Sequence, residues 1–231
     1  MSREIDKDFE RLNDFIKNYS ISTLAQNDVY VSNLKKSHKI YFSYAHLIWG
    51  INHQNICDKN IENRLLESCS DIGQVILLFS HGLYKPANLI LRSSIENFIK
   101  AIGLFVDTDI VNKKHVYEIF DIAKQYPNCS HPNFLIMYNN LNTEYSNLCS
   151  YTHTANQHHM MHLSAFKNIP IFDERYANEL IKNTIKIVKT YITILVFSFR
   201  DNIFKINPSY RDIVLTSISD SDRRLLYQGN I

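Results

Sequence analysis

An arginine and a glutamate lie four residues apart in a segment with helical periodicity, so Arg92 and Glu96 should share one face of a helix. Most of that helix is apolar, and an unpaired buried charge is strongly unfavourable, so we expect the two side chains to be paired. One interpretation is a structural ion pair that fixes the helix register. The other is a guanidinium, held by Glu96, that binds a phosphate, because the planar fork of arginine matches phosphate oxygens.

A histidine follows the end of a second helical segment. His153 comes just after Tyr151, where that segment should end. The negative end of the helix dipole favours the charged form of a histidine at this position. Such a group suits a general acid, or a base that later returns its proton. The structural alternative is a histidine that caps the terminal carbonyl groups.

More histidines follow closely in the string His158-His159-Met160-Met161-His162. If this string were helical, His158 and His162 would have the spacing of metal ligands. The string lacks the glutamate base of the zincin motif, and no third ligand stands at a known spacing. We therefore predict a solvated loop, with no metal and no cofactor. A nucleophilic pair of Cys149 and His153 is a further alternative.

Seven to nine helices should position these residues, because apolar side chains recur at helical spacing along most of the chain. The fourth helix is apolar almost all round, apart from Ser93, Asn97 and Lys100, and should lie at the centre. The pattern predicts an all-α helical bundle in one domain, with a core at about 28–204 and a C-terminal helical appendage at 205–231. The expected helices cover about 3–18, 28–53, 60–80, 86–105, 112–125 and 134–151. A long helix that Asp173 caps and Asn207-Pro208 ends comes next, followed by short helices after Pro208 and Ser219.

Bulk composition agrees with a helical protein and excludes some functions. Five glycines and five prolines in 231 residues leave few turn residues for a β-sandwich. The net charge of +2 provides no global field for nucleic acid, so any RNA contact needs a local patch. The charged segment at the start of the sequence predicts no signal peptide, and the longest apolar stretch is too short for a membrane helix. With four well-separated cysteines, these features predict a cytoplasmic protein with reduced thiols and no membrane partner.

Two short motifs carry a resemblance to a known superfamily. The segment from Tyr84 to Glu96 resembles an A-x-x-L-x-R-x-x-x-E helix of bacterial all-helical proteins related to the HEPN superfamily. A later helix of those proteins ends in a Y-x-x-L-S-x-Y-x-H-like string. That string is approximated here by Tyr145, Leu148, Cys149, Tyr151 and His153.

The resemblance implies a HEPN-like bundle that usually dimerises. Many such proteins are metal-independent ribonucleases of toxin–antitoxin and phage-defence systems, in which an arginine binds the scissile phosphate and a histidine handles the 2′-hydroxyl proton. Their arginine precedes the histidine by four to six residues on one helix. Four and five residues before His153 stand Cys149 and Leu148, and none of the positions four to six residues before it holds an arginine. Arg92 would therefore have to supply the cation from another helix.

The resulting expectation is an RNA-cleaving protein. Arg92 would bind phosphate, Glu96 would orient it and His153 would transfer protons, while Tyr151 and His158 would contact the substrate. RNA, a second copy of the chain and a cognate protein are the expected partners. The alternative is a non-catalytic protein- or nucleotide-binding module of the antitoxin or adaptor type, because several HEPN relatives lack nuclease residues.

Overall fold

A computed structural model describes residues 3–127, 132–153, 157, 160 and 168–228. At residues 3, 4, 132 and 153 it describes only the backbone. These residues form an all-α bundle without strands, which confirms the predicted fold class. None of the described helices is long and apolar enough to cross a membrane. The helices are α1 (Arg3–Asn18), α2 (Asp28–His53), α3 (Lys59–Ser80), α4 (Tyr84–Gly103), α5 (Val116–Ala123), α6 (Pro132–His153), α7 (Glu174–Ser198), α8 (Arg200–Ile203), α9 (Pro208–Leu215) and α10 (Asp220–Gln228).

Helix α4 lies at the centre of the bundle, as its apolar pattern predicts. It packs against α3, α5, α6 and α7. Its ring at Phe98 stacks on Tyr191 of α7, with the ring centroids 4.0 Å apart. The apolar stripe of α4 is fully buried at Ala87, Leu91, Ile95, Phe98 and Ile102. A side chain on α4 can therefore reach several neighbouring helices.

The polar strip of α4 packs against α3. Asn97 donates from Nδ2 to Asp71 at 3.1 Å and accepts at Oδ1 from Arg64 at 2.9 Å. Asp71 is only 3% exposed, and burial raises the pKa of its carboxyl group, although hydrogen bonds from Ser93 and Asn97 oppose that shift. Because an amide can donate and accept at the same time, Asn97 joins α4 to α3 through two buried polar contacts.

Helix ends follow the local chemistry of the sequence. Asp173 caps α7 by accepting from the backbone N–H groups of Arg175 and Tyr176, as expected. Gly82 ends α3 with a φ of 73°, in the left-handed region that glycine adopts without strain. A Cβ at Gly82 would lie 1.9 Å from the carbonyl oxygen of Ile171, so this turn packs tightly on the segment that precedes α7.

The predicted long helix after Asp173 does not continue to Asn207: it ends at Ser198, and a separate helix of four residues follows. The chain leaves helical geometry at Phe199, where φ is −118° and ψ is 33°. This break adds α8 and brings the number of α-helices in the described ranges to ten. Beyond it, α9 packs on α2, and Ser217 donates to Ser43 at 2.7 Å. The C-terminal helices thereby contribute Val214, Leu215 and Leu226 to the same buried core.

Candidate functional site

The guanidinium of Arg92 crosses from α4 to α6. Its Nε donates to the Sγ of Cys149 at 3.3 Å, and its Nη2 donates to the hydroxyl of Tyr145. Its central carbon lies 4.6 Å from the centre of the Tyr145 ring, a cation–π distance. Tyr145 and Cys149 are four residues apart, so one cation bridges consecutive turns of α6.

The charge states of this contact follow from burial and neighbouring groups. Burial by itself favours neutral Arg92, but its hydrogen bond to Cys149 and its electrostatic interactions with Tyr145, Cys149 and Glu96 together raise its pKa. Burial raises the pKa of Tyr145 to about 12, although the nearby guanidinium opposes that shift. At physiological pH a charged arginine therefore rests on a neutral phenol and a sulfur atom.

Glu96 does not form the ion pair with Arg92 that the sequence led us to expect. Its Oε1 lies 2.9 Å from the Nζ of Lys100, and no ion pair joins Glu96 to Arg92 among the described side chains. A glutamate four residues before a lysine has a favourable helical arrangement, whereas the guanidinium is turned toward α6. Glu96 influences Arg92 through electrostatics alone. An orienting role for Glu96 in catalysis stays a prediction.

Arg92 retains hydrogen-bonding capacity for an anion. An arginine carries five N–H donors, and two of those of Arg92 are directed at Tyr145 and Cys149. Neither acceptor is a carboxylate, and no carboxylate in the described part of the chain forms an ion pair with Arg92. A half-buried cation that has spare donors and no carboxylate partner can bind a phosphate oxygen.

His153 is the last residue of α6, four residues after Cys149. At about 100° per residue, Tyr145, Cys149 and His153 lie within an arc of about 80°, and His153 is about 6 Å farther along the axis than Cys149. The backbone therefore places His153 on the side of α6 that Arg92 contacts. The side chain of His153 and the whole of His158 lie outside the described residues.

Tyr151 lies on the other side of α6. It is six residues from Tyr145, a rotation of about 240°. Its hydroxyl donates to Oε1 of Glu179 on α7 at 3.2 Å, and burial followed by the effect of Glu179 raises its pKa. A polar depression of about 460 Å³ adjoins it, lined also by Glu144 and Lys182. The structure thus separates Tyr151 from the Arg92 contacts, and substrate binding by Tyr151 stays a prediction.

Two of the cysteines in the described residues offer little thiolate chemistry. Cys57, Cys69 and Cys149 are free thiols. Burial raises the pKa of Cys57 to about 12 and that of Cys69 to about 11, so both remain protonated. No group of three potential metal ligands is present within the described ranges. The histidine string at 158–162 lies outside them, apart from Met160.

Sequence reasoning missed the two partners of Arg92. Tyr145 and Cys149 entered only as elements of a terminal motif, although their spacing already placed them on one face of α6. Their contact with Arg92 depends on how α4 packs against a helix more than 50 residues away along the chain, as the separations of 53 and 57 residues indicate.

Comparisons with family models, with curated proteins and with solved structures found no match for this chain. The fold class and the geometry around Arg92 are therefore defined by the structure itself. A HEPN-like relationship depends on the two short sequence motifs.

Proposed function

We propose that this chain is a HEPN-like, metal-independent ribonuclease of a toxin or phage-defence system. Its catalytic groups would be Arg92 on α4 and His153 at the end of α6. The observation that supports this proposal is the bond from Arg92 to Cys149, one helical turn before His153. A cytoplasmic location and association with a second copy belong to the same proposal.

In this mechanism Arg92 stabilises negative charge on the scissile phosphate. Its spare N–H groups donate to a non-bridging oxygen, and its contacts with Tyr145 and Cys149 hold the guanidinium in place beforehand. Donors that are already oriented toward developing charge need little reorganisation as the reaction proceeds. Glu96, paired with Lys100, adjusts the electrostatic field around this cation.

His153 moves the protons. Neutral imidazole accepts the proton of the RNA 2′-hydroxyl as the 2′-oxygen attacks phosphorus. The bond from phosphorus to the 5′-oxygen then breaks, and the imidazolium protonates that leaving oxygen. The products are a 2′,3′-cyclic phosphate and a 5′-hydroxyl. The negative end of the α6 dipole stabilises the intermediate imidazolium.

The test is cleavage of single-stranded RNA in EDTA by the wild-type chain and by Arg92→Ala and His153→Ala. We expect cleavage by the wild type and a loss of about 100-fold or more in each variant. Lys59→Ala is the control, because that exposed lysine lies at the start of α3 and pairs with Glu62 of the same helix. Absence of cleavage by the wild type, or equal cleavage by all three proteins, contradicts the proposal.

A non-catalytic protein- or nucleotide-binding module is the alternative. It is favoured by the same contacts, since Arg92 joins α4 to α6 whether or not an anion binds there. This alternative predicts that Arg92→Ala changes stability alone, in a protein that never cleaves RNA.

A further inference from the structure

The solvent-facing side of α2 combines aromatic, histidine and lysine side chains. We define the α2 strip as Lys35, His38, Lys39, Phe42, His46 and Trp49. At about 100° per residue these six positions fall within an arc of about 100°, and they extend for roughly 21 Å along the helix. The buried residues of α2, among them Tyr44, Leu47 and Ile51, occupy the opposite side.

The rings of the α2 strip contact one another and remain accessible. The ring of Phe42 lies 4.1 Å from that of His46, which in turn stacks on Tyr210 of α9 at 4.4 Å. Trp49 stacks on His53 at 5.2 Å. Phe42 is nevertheless 40% exposed and Trp49 is 53% exposed. Mutual contacts therefore hold in place large rings that solvent can reach.

The charged residues of α2 are almost all basic. Its only acidic residue is Asp28, at the first position of the helix. Lys39 of the strip also lines a depression of about 180 Å³ together with Lys36 and with Lys189 of α7. The residues found to line this depression include no carboxylate, and none of the three lysines forms an ion pair among the described side chains. Converging cations without an acidic partner favour a bound anion.

We propose that the α2 strip binds single-stranded RNA, with bases stacked on Phe42 and Trp49 and phosphates near Lys35, Lys39 and the adjoining lysines. Exposed rings beside cations are what a single strand requires, because its bases present free faces beside a charged backbone. A duplex binds less well, since its bases are already stacked. The choice of RNA as the strand rests on the proposed function.

A second copy of the chain is the rival occupant. Helix α1 exposes an apolar face, with Ile5 53%, Phe9 60% and Ile16 63% exposed. The same helix carries five acidic residues, so charge alone does not exclude a second copy. Exposed rings beside lysines favour the single strand, and the fluorescence titration distinguishes the two occupants.

The test uses intrinsic fluorescence, because Trp49 is the only tryptophan of the chain. The full-length Arg92→Ala variant, which keeps RNA intact, is titrated with an oligouridylate of roughly 12 nucleotides, within the site size of such platforms. We expect quenching of Trp49 by the single strand and little change with a duplex of equal length. Phe42→Ala should weaken binding about tenfold, as expected when one base loses its stacking partner.

The lysines give an independent readout with labelled RNA. Replacing both Lys35 and Lys39 by alanine should reduce the slope of log affinity against log salt by about 1.4, at roughly 0.7 per phosphate contact in a single strand. Tyr117→Ala is the control, because that tyrosine on α5 is 65% exposed and lies outside the strip. It should leave affinity unchanged.

Three outcomes would overturn the inference. They are unchanged fluorescence with the single strand, equal quenching by the duplex, and a spectral change that follows protein concentration alone, which would assign the strip to a second copy. RNA binding without cleavage by the wild type would contradict the proposed ribonuclease activity but not the proposed RNA-binding strip. Cleavage without quenching of Trp49 would contradict the strip but not the ribonuclease activity.

Discussion

The Nε of Arg92 lies 3.3 Å from the Sγ of Cys149, and this hydrogen bond ties the central helix α4 to the last two turns of α6. The same face of α6 ends at His153. Arg92 therefore contacts a phenol and a sulfur atom on the helix that bears the candidate proton-transfer residue, while Glu96 pairs with Lys100.

Arg92→Ala should lower the free energy of unfolding by about 1.5–3 kcal/mol, the range for losing a hydrogen bond to a charged group. A broken buried ion pair would cost roughly 3–5 kcal/mol, because it leaves an uncompensated charge. Urea unfolding decides between these values. Lys59→Ala, at the surface, serves as the control and should change stability by less than about 0.5 kcal/mol. A loss of stability above roughly 3 kcal/mol would mean that Arg92 has a buried carboxylate partner.

Cys149→Ser should cleave RNA within about threefold of the wild type, because a hydroxyl oxygen also accepts a hydrogen bond from Nε of Arg92. A mechanism with a nucleophilic thiolate would lose nearly all activity in this variant. Initial cleavage rates in EDTA distinguish the two. A large loss in Cys149→Ser would assign Cys149 to the chemistry itself.

Tyr145→Phe should reduce cleavage about tenfold, because Arg92 loses one hydrogen-bond acceptor and each 1.4 kcal/mol changes a rate tenfold. The aromatic ring that contacts the guanidinium remains. Since the pKa of Tyr145 is raised to about 12, its hydroxyl stays protonated during the assay. The pH–rate profile between about pH 6 and 9 should keep its shape, because tyrosine ordinarily titrates only near 10. A shifted profile would contradict a purely positioning role.

Particular residues mark how far the sequence determines this structure. The bounds of α1 and α2 follow from amphipathic spacing and from Asn27, whose side chain accepts from the N–H of Tyr30. The break at Phe199 has no glycine or proline in the sequence to indicate it.

The candidate site was only partly predictable. The sequence predicted that Arg92 lies on a mostly buried helix, which the structure confirms, yet the partners of Arg92 depend on how α4 packs against α6. The α2 strip went unnoticed because helical patterns draw attention to the buried face. Its sequence signal was the absence of acidic residues between Asp28 and Asp58.

Asp71→Asn should leave the free energy of unfolding at neutral pH unchanged or raise it by up to about 1 kcal/mol. Burial raises the pKa of Asp71 above its ordinary value of 3.8 in the folded chain. From 3.8 up to that raised value the folded state binds more protons than the unfolded state, so this residue lowers stability as pH rises. The variant should lack that decline. Urea unfolding across this pH window measures the decline in stability. Asp121→Asn, at an exposed position, is the control. If Asp71→Asn shows the same decline as the wild type, Asp71 is not its source.

Gly82→Ala should destabilise the fold by about 2 kcal/mol or more, because the added Cβ meets the carbonyl oxygen of Ile171 and the backbone is left-handed. Gly73→Ala is the matched control. Gly73 lies within α3, its added Cβ would be in ordinary contact with Tyr41, and alanine favours helix by about 0.5–1 kcal/mol. Thermal melts should therefore move in opposite directions. A neutral Gly82→Ala would show that the turn can relax.

The most direct test of the joint action of Arg92 and His153 is a double-mutant cycle on RNA cleavage in EDTA, with melts to verify folding. If both side chains act on one phosphate, Arg92→Ala, His153→Ala and the double variant should each lose about 100-fold or more, and the double loss should fall well below the product of the single losses. Losses that multiply, or a His153→Ala variant as active as the wild type, would contradict the account.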